Sequence, residues 1–516
     1  MDLPTVLSGP ILRRVEPSHI YIWIALRKRY RLGAKLYRIE KIDGTNFTYH
    51  EIDCDSETTT FRAGKQLYIS LIKLTPHQTP FPLNTLLGYN LLFQKKSEVQ
   101  DLQDFGLLGK DQPNSITYGD LDLPSFFIPD PTQQKANLLY GSCRKFHGKG
   151  ADSLSHGDET IDMHYLDLEK RPDALFLLGD QIYADDVPDP VFQIMLEAGR
   201  KLIGKEERLT DIEPRLNEKP FKKSINQARG RKFIMERFCK FTSSQARNHA
   251  MTFGEYAALY LLSWSPELWD AYTDDGNFPS FKDQTKKEQI YFIYKKGKRK
   301  KEKNVYEKEY NQQVADVKET YQTLTKVRRL LANIPTYMIF DDHDITDDWN
   351  ISHHWKNNVY QSNLGRHVVA NGLMAYWLFP GWGNDPIQFD QSFLHKMWKY
   401  CRTYNTHSNS HEVWADTLWD FNQWNFVAPT NPTSIFLDTR TQRKYDLTPL
   451  PVSLGRTIEE KDRPPQLIGK QGWQTITNCL YESGWKSGEP LLVISPAPVY
   501  GIGLIESFLN QYIYPL

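Results

Sequence analysis

Hydrophobic and polar positions along the chain change rhythm near residue 130. Before that point, short runs such as Ile20-Tyr-Ile-Trp-Ile-Ala, Gln66-Leu-Tyr-Ile-Ser-Leu-Ile72 and Tyr89-Asn-Leu-Leu-Phe93 alternate with clusters of Asp, Gly, Pro and Thr. Period-two runs bounded by turn residues predict an N-terminal antiparallel β-sandwich over residues 1–130. The Pro124 to Pro131 segment, with its Pro-Asp-Pro, reads as the linker. From about residue 136 the pattern becomes strand, loop, helix. The stretch Gly157 to Leu168 carries apolar residues at helical spacing between two apolar runs, which is a βαβ unit.

Four apolar runs in this second part end in side chains that favour metals or phosphate. They are Asn137 to Arg144, Asp173 to Asp186, Thr336 to Asp344 and Ser434 to Arg440. Short apolar runs of this kind are expected to form buried parallel strands, whose carboxyl ends carry ligands in open α/β sheets. Between the second and third runs, residues 188–330 read as a helical insertion, clearest over Gly254 to Trp264 and Tyr310 to Leu331. Within it, Lys295-Lys-Gly-Lys-Arg-Lys-Lys-Glu-Lys303 reads as a solvated loop. Trp377, Trp382, Trp398, Trp414, Trp419 and Trp424 are expected to pack a core, with a substrate cleft as the alternative.

The chemistry sits at the strand ends. Asp180, after Gly179, is placed to bridge two cations, with Tyr183 one helical turn on. Phenolate suits a hard trivalent ion such as Fe(III). A helix-capping Asp followed by a core Tyr is the plainer alternative. Asp341-Asp342-His343-Asp344, with Asp347, Asp348 and Asn350 beyond it, concentrates carboxylates that repel one another unless a cation is present. Such oxygen ligands favour Ca2+, Mg2+ or Mn2+, and an imidazole alongside can protonate a leaving alkoxide. Cys143 offers a thiolate ligand and Arg144 an anion contact, or Cys143 is a small hydrophobe. A cysteine hydrolase would need His147, His156 or His343 as partner, and it leaves the aspartates without a role. Asp438 and Arg440 form either an ion pair or a phosphate clamp. His353 and His354 read as loop or core histidines with a smaller chance of a supporting role at the site.

Composition narrows the classes of partner. The 516 residues are 40% hydrophobic and 24% charged, with 63 basic against 63 acidic residues, so no global field points to nucleic acid or to a membrane. Five scattered cysteines make no disulfide framework. No secretory signal and no membrane-length apolar run is visible, so a cytoplasmic protein is expected.

Taken together, the runs resemble the alkaline phosphatase D (PhoD-like) family of calcineurin-type metallophosphoesterases across nearly the whole chain. The opening Ser8 to Trp23 resembles that family's N-terminal sandwich. Gly141-Ser-Cys143 resembles its thiolate motif, Gly179-Asp-Gln-Ile-Tyr183 its Gly-Asp-x-Ile-Tyr motif, and Asp341-Asp-His-Asp344 its Asp-Asp-His-Glu segment. Phe436-Leu-Asp-Thr-Arg440, Gly469-Lys-Gln-Gly-Trp473 and Leu491 to Val499 also fit.

The resemblance implies an α/β chain, with the β-sandwich followed by a four-layer αββα metallophosphoesterase domain over residues 131–516 that contains the helical insertion. It implies phosphomonoester or phosphodiester hydrolysis at a dinuclear or multinuclear site holding Fe(III) and Ca2+, with Mn2+ or Mg2+ as alternatives. Cys143, Asp180, Tyr183, Asp341 and Asp342 would be metal ligands, His343 the proton donor, and Arg440 and Arg144 the substrate contacts. Two departures stand out. Asp347-Asp348 occupies a place where the family usually has Asn, which implies a changed cation preference. A late Gly-Asp-Val-His type motif is not found, which implies a C-terminally incomplete domain. A catalytically impaired fragment acting as a metal-binding or interaction module is the alternative from another class, and a sugar- or lipid-linked phosphodiesterase is a third.

Overall fold

The structure is a computed structural model and describes residues 2–133, 135–274, 276–294, 297–403, 410–448, 450–454, 457–461 and 465–498. Nine strands open the chain: β1 (Val6–Glu16), β2 (His19–Leu26), β3 (Arg31–Asp43), β4 (Asn46–Ile52), β5 (Cys54–Arg62), β6 (Tyr68–Pro76), β7 (Leu87–Lys95), β8 (Glu98–Asp101) and β9 (Ser125–Phe126). They pair antiparallel in two sheets, one ordered β1-β2-β6-β5 and the other β4-β3-β7-β8 with β9 on β7.

The alternation along β2 explains its composition. Ile20, Ile22, Ile24 and Leu26 share one hydrophobic cluster with Leu36, Leu87, Leu91 and Phe93 of the second sheet. Tyr21, Trp23 and Ala25, on the opposite face, join the large core that contains Trp264 and Trp377. Both faces of the strand are covered, so it lacks the polar positions of a half-solvated strand. Trp23 Nε1 donates to the Leu378 carbonyl at 3.1 Å, and its ring meets Trp264 edge-on at 5.5 Å. Arg13, also buried, donates to the Pro380 carbonyl at 2.6 Å and to Asn384 Oδ1 at 2.7 Å. The 124–131 segment, expected as a linker, holds β9 and the buried Phe126, Phe127 and Ile128. Ser125 N donates to Asn333 Oδ1 at 2.6 Å, so this segment is fastened to the following part rather than exposed as a tether.

The first three ligand-bearing runs form β10 (Leu138–Gly141), β11 (Ala174–Leu177) and β12 (Thr336–Met338), parallel and in that order. Leu138 pairs with Ala174, and Leu175 with Thr336. The fourth run lies in a different sheet from the first three. After β13 (Phe426–Ala428) it forms β14 (Thr433–Phe436). A hairpin follows, β15 (Leu450–Leu454) with β16 (Thr457–Lys461), and then β17 (Leu491–Ile494). Strand β14 lies antiparallel to β13 and parallel to β17 in a separate sheet.

The two sheets meet through aromatic rings: Phe176 and Tyr337 from one, Phe426 and Phe436 from the other, with Phe176 edge-on to Phe436 at 4.9 Å. An apolar run announces burial on two faces but not which strand will be its neighbour, and here side-chain packing joins what hydrogen bonding does not. The opposite face of β11 and β12 (Leu175, Leu177, Met338) packs with Ile161 and Leu330 of helices Leu154–His164 and Gly297–Asn333. Ile435 packs with Ile476 of helix Lys470–Glu482. The chain is thus a mixed α/β fold with several antiparallel pairings.

From Gly297 onward the basic run is helical, not a loop. Lys298 to Lys301 are exposed on the first turns of the helix Gly297–Asn333, while Lys295 and Lys296 lie outside the described residues. Lys, Arg and Glu are good helix formers, and once solvated their charges do not oppose a helix. Trp377, Trp382 and Trp424 are buried and Trp419 half-buried, as a core demands, whereas Trp398 is exposed on helix Gln391–Thr403. The side chain of Trp414 lies outside the described residues, as does the chain from 499 onward, where the late histidine motif was sought. No described helix is long and apolar enough to cross a membrane.

Candidate metal centre

The loops that leave β10, β11 and β12 converge, and local backbone conformation brings them close. Gly179 has φ of +130°, and a Cβ there would sit 2.8 Å from Asp341 Cβ, so only glycine lets the β11 loop lie against the β12 loop. Asp180 and Cys143 both adopt left-handed backbone, with φ of 50° and 64°. Each such non-glycine residue costs on the order of 1 kcal/mol and needs a surrounding that holds it. Here Cys143 N donates to the Gly179 carbonyl at 3.1 Å and Arg144 N to the Asp180 carbonyl at 2.9 Å, which zips the two loops together.

Asp180 is buried at the centre of this arrangement. The Cys143 thiol and the Tyr183 hydroxyl each donate to its Oδ2 at 3.4 Å, while its Oδ1 is buried without a hydrogen-bond partner. The ligand atoms of Asp180, Asp342 and His343 lie within 4.8 Å of one another. Asp344 serves a different purpose. It is fully buried and accepts from Asp341 N and Gln181 N, both at 3.0 Å, and from Tyr260 Oη at 3.1 Å, bracing the two loops from behind.

His343 stacks on Tyr183 with ring centroids 4.2 Å apart. Its Nδ1 meets Asp185 Oδ1 at 2.7 Å, and Ser243 Oγ donates to the other oxygen of Asp185 at 2.6 Å. Nε2 is therefore the ring nitrogen left for chemistry.

Arg440 arrives on the loop after β14. Its Nε donates to Asp341 Oδ1 at 2.5 Å, its Nη2 lies 3.1 Å from Asp342 Oδ2, and its Nη1 donates to the Trp349 carbonyl at 3.1 Å. Asp438 does not pair with that guanidinium. It accepts the backbone N–H groups of Arg440 and Thr441 at 3.0 and 2.8 Å and so holds the turn. Arg144 points to Asp152, with Nη2 and Nε at 2.6 and 3.2 Å. His353 and His354 are exposed on the first turn of helix His353–Gln361, neither in a loop nor in the core. They meet Tyr445 and Asn358. Among the described residues no histidine is hydrogen-bonded to Cys143, whose thiol meets Asp180 instead. His147 faces Asp186 at 3.5 Å and His156 faces Glu159.

Electrostatics favour a cation here. Burial, then Asp341 and Asp342, pushes the Asp180 carboxyl up to about 7. Burial raises Asp341 as well, with Arg440 opposing and Asp342 adding to the rise. Burial and then Asp348 lift Asp347 to about 6. Burial works to lower His343, but Asp185, Asp180 and Asp342 outweigh it and lift the imidazolium to about 10. Burial and Asp180 also raise the Cys143 thiol. A dication against the orphaned Asp180 Oδ1 would reverse these carboxyl shifts, and a donor set of carboxylate, imidazole, thiol and phenol is chemically suited to one. Asp341 fits less directly, because Arg440 already neutralises it.

Sequence reasoning overlooked Asp185, Ser243 and Arg443. Asp185 lies in the second run, two residues past Tyr183, and adjacency to a motif was its only signal. Arg443 donates to the Asn350 carbonyl at 3.0 Å just behind Arg440, and its position three residues on was a cue of the same kind. Ser243, from the helical insertion, carried none.

Compared with protein-family models and with curated proteins, the chain matches none. Among solved structures it is similar to one described as "Structure of PhoD", at 12% identity and a TM-score of 0.38, over 93% of this chain and 60% of that chain. The chain thus spans less than two thirds of that protein's length, and a likeness this slight carries no argument about fold or activity.

Proposed function

We propose that this chain hydrolyses phosphoesters at a metal centre built on Asp180 and Asp342, with Cys143 and Tyr183 against Asp180, with Asp341 beside it, and with His343 next to the metal as proton donor rather than ligand. The observation that carries the reading is Asp180 itself. It is a buried carboxylate with one oxygen unsatisfied, set where three strand-end loops meet, and it is surrounded by further ligand-type side chains. The metals proposed are Fe(III) and Ca2+, with Mn2+ or Mg2+ as alternatives. Bound there, they would supply charge neutralisation and acidify a water for attack on phosphorus.

The chain's own groups supply the rest. His343, its Nδ1 held by Asp185, would deliver a proton from Nε2 to the leaving oxygen. The Asp185 carboxylate keeps the imidazolium oriented, as such dyads do. Arg440 lies between Asp341 and Asp342 and would exchange those carboxylates for phosphoryl oxygens once cations take them over. In this reading residues 1–130 form a β-sandwich domain and residues 131–516 a four-layer αββα domain, with 188–330 as its insertion. The substrate is a small-molecule phosphomonoester or phosphodiester, and Arg144 would reach it only by leaving Asp152.

One observation favours a second reading, a metal-binding or interaction module without turnover. Arg440 already satisfies Asp341 and Asp342, so the cluster is partly neutral as it stands. Turnover of p-nitrophenyl phosphate and of its bis-ester, with metal content measured alongside, separates the two. Activity that depends on bound metal and vanishes in Asp180→Asn supports hydrolysis. Stoichiometric metal without turnover supports the module.

A further inference from the structure

A second cleft opens beside the C-terminal turn of helix Asp189–Ile203, in the insertion and apart from the candidate metal centre. Its volume is about 370 Å³. Leu196, Ile203 and Leu216 give it an apolar floor. Gly199 and Gly254 bring that helix against helix Phe253–Trp264, and a Cβ on Gly199 would lie 2.7 Å from the Gly254 carbonyl, so the wall between them is backbone.

The rim is cationic, and the acids that line the cleft are mostly engaged elsewhere. Arg200, Lys205, Arg208 and Lys222 are all exposed around the opening. Glu255 holds Arg231 with both oxygens, at 2.6 and 2.9 Å. Glu207 accepts from Asn371 Nδ2 at 2.6 Å and from Phe253 N at 3.0 Å, and it also pairs with His367. Glu206 is the lining carboxylate left over. Among the described residues no carboxylate forms a salt bridge with Arg200, Arg208 or Lys222. Arg200 donates instead to the neutral Asn226 Oδ1 at 2.7 Å. Like charges gathered around one concavity raise its potential and favour a multivalent anion.

We propose that this cleft binds a small organic polyphosphate of the nucleoside diphosphate type. Its phosphoryl oxygens meet Arg200, Arg208 and Lys222, and its ring lies on the Leu196, Ile203 and Leu216 floor. Several cations without acidic partners call for more than one anionic group, and the apolar floor calls for a ring that inorganic phosphate lacks. The site stands independently of the metal centre.

ADP titrated calorimetrically into the full chain in EDTA provides the test, with pyrophosphate as the comparison ligand. The Arg208→Ala/Lys222→Ala double variant changes only exposed side chains and should bind ADP about tenfold more weakly or worse. Asp180→Asn should bind ADP as the unaltered chain does, pyrophosphate should bind more weakly than ADP, and binding should weaken with added salt. The proposal is overturned if the unaltered chain shows no saturable binding, if the double variant binds equally well, or if Asp180→Asn abolishes binding and thereby places it at the metal centre.

Discussion

Replacing Asp180 by Asn should stabilise the metal-free protein while destroying its capacity for metal, and the magnitude follows from the site's geometry. Burial and the neighbouring Asp341 and Asp342 raise this carboxyl from 3.8 to about 7. An acid whose folded pKa is raised binds more protons folded than unfolded. Its contribution is fully present below pH 3.8 and is lost as pH rises through 7. The loss amounts to about 4 kcal/mol at pH 8, at about 1.4 kcal/mol for each pH unit of displacement. Asn is nearly isosteric and uncharged, so it never incurs that loss. Urea denaturation followed by tryptophan fluorescence, in EDTA at pH 4.5 and at pH 8, tests this. The variant should exceed the unaltered chain by a few kcal/mol at pH 8, and the gap should shrink to about 1 kcal/mol at pH 4.5. Added Ca2+ or Mn2+ should then stabilise the unaltered chain at pH 8 and leave Asp180→Asn unmoved. A difference that does not depend on pH, or a variant less stable at both values, would refute the claim that Asp180 is held in an environment hostile to its charge.

Three other perturbations probe neighbouring parts of the account. His343→Ala should slow hydrolysis of alkyl phosphates by about 100-fold or more but that of p-nitrophenyl esters by less than about tenfold, because only the poorer leaving group needs a proton. Equal losses on the two substrates would argue against proton donation from this ring. Gly179→Ala should cost about 2–4 kcal/mol of stability, from the strained φ and the 2.8 Å approach to Asp341 Cβ, and should weaken metal binding as well. A thermal midpoint equal to that of the unaltered chain would contradict it. His249 is fully buried, and burial lowers it to about 4 from 6.5. A base with a depressed folded pKa gives stability that is present above pH 6.5 and lost as pH falls toward 4, about 3 kcal/mol in all. His249→Gln should flatten the pH dependence of unfolding in that window, and an unchanged slope would count against the assignment.

How much of this was legible in the sequence depended on whether a feature is local. Strands β2, β10, β11 and β12 announced themselves because an apolar run between turn residues has few other solutions. The partner of β14 did not, since pairing with β17 is a contact between segments more than 50 residues apart in the chain. The first turns of helix Gly297–Asn333 were read as a loop because charge dominates their pattern, although their residues are intrinsic helix formers. At the site, Asp180, Asp342 and His343 were picked out and do come together. Only the family resemblance set Asp342, which faces the cluster, apart from Asp344, which braces the loops behind it; the residue pattern alone does not, because two residues of backbone turn decide which way each points. Nor could it reveal that Arg440 rests on Asp341 and Asp342, or that Asp185 aligns His343, since both contacts exist only after the loops have been brought together. The left-handed backbone at Cys143 is equally hidden, because cysteine does not favour it.

The central claim is that the cluster around Asp180 is a metal centre that turns over phosphoesters. Elemental analysis of the purified 516-residue chain and of Asp180→Asn, with both assayed on p-nitrophenyl phosphate and its bis-ester, tests it most directly. The account predicts bound iron or calcium in near-stoichiometric amount and clear turnover, both lost in the variant. Absence of stoichiometric metal together with absence of turnover in the unaltered chain would contradict it.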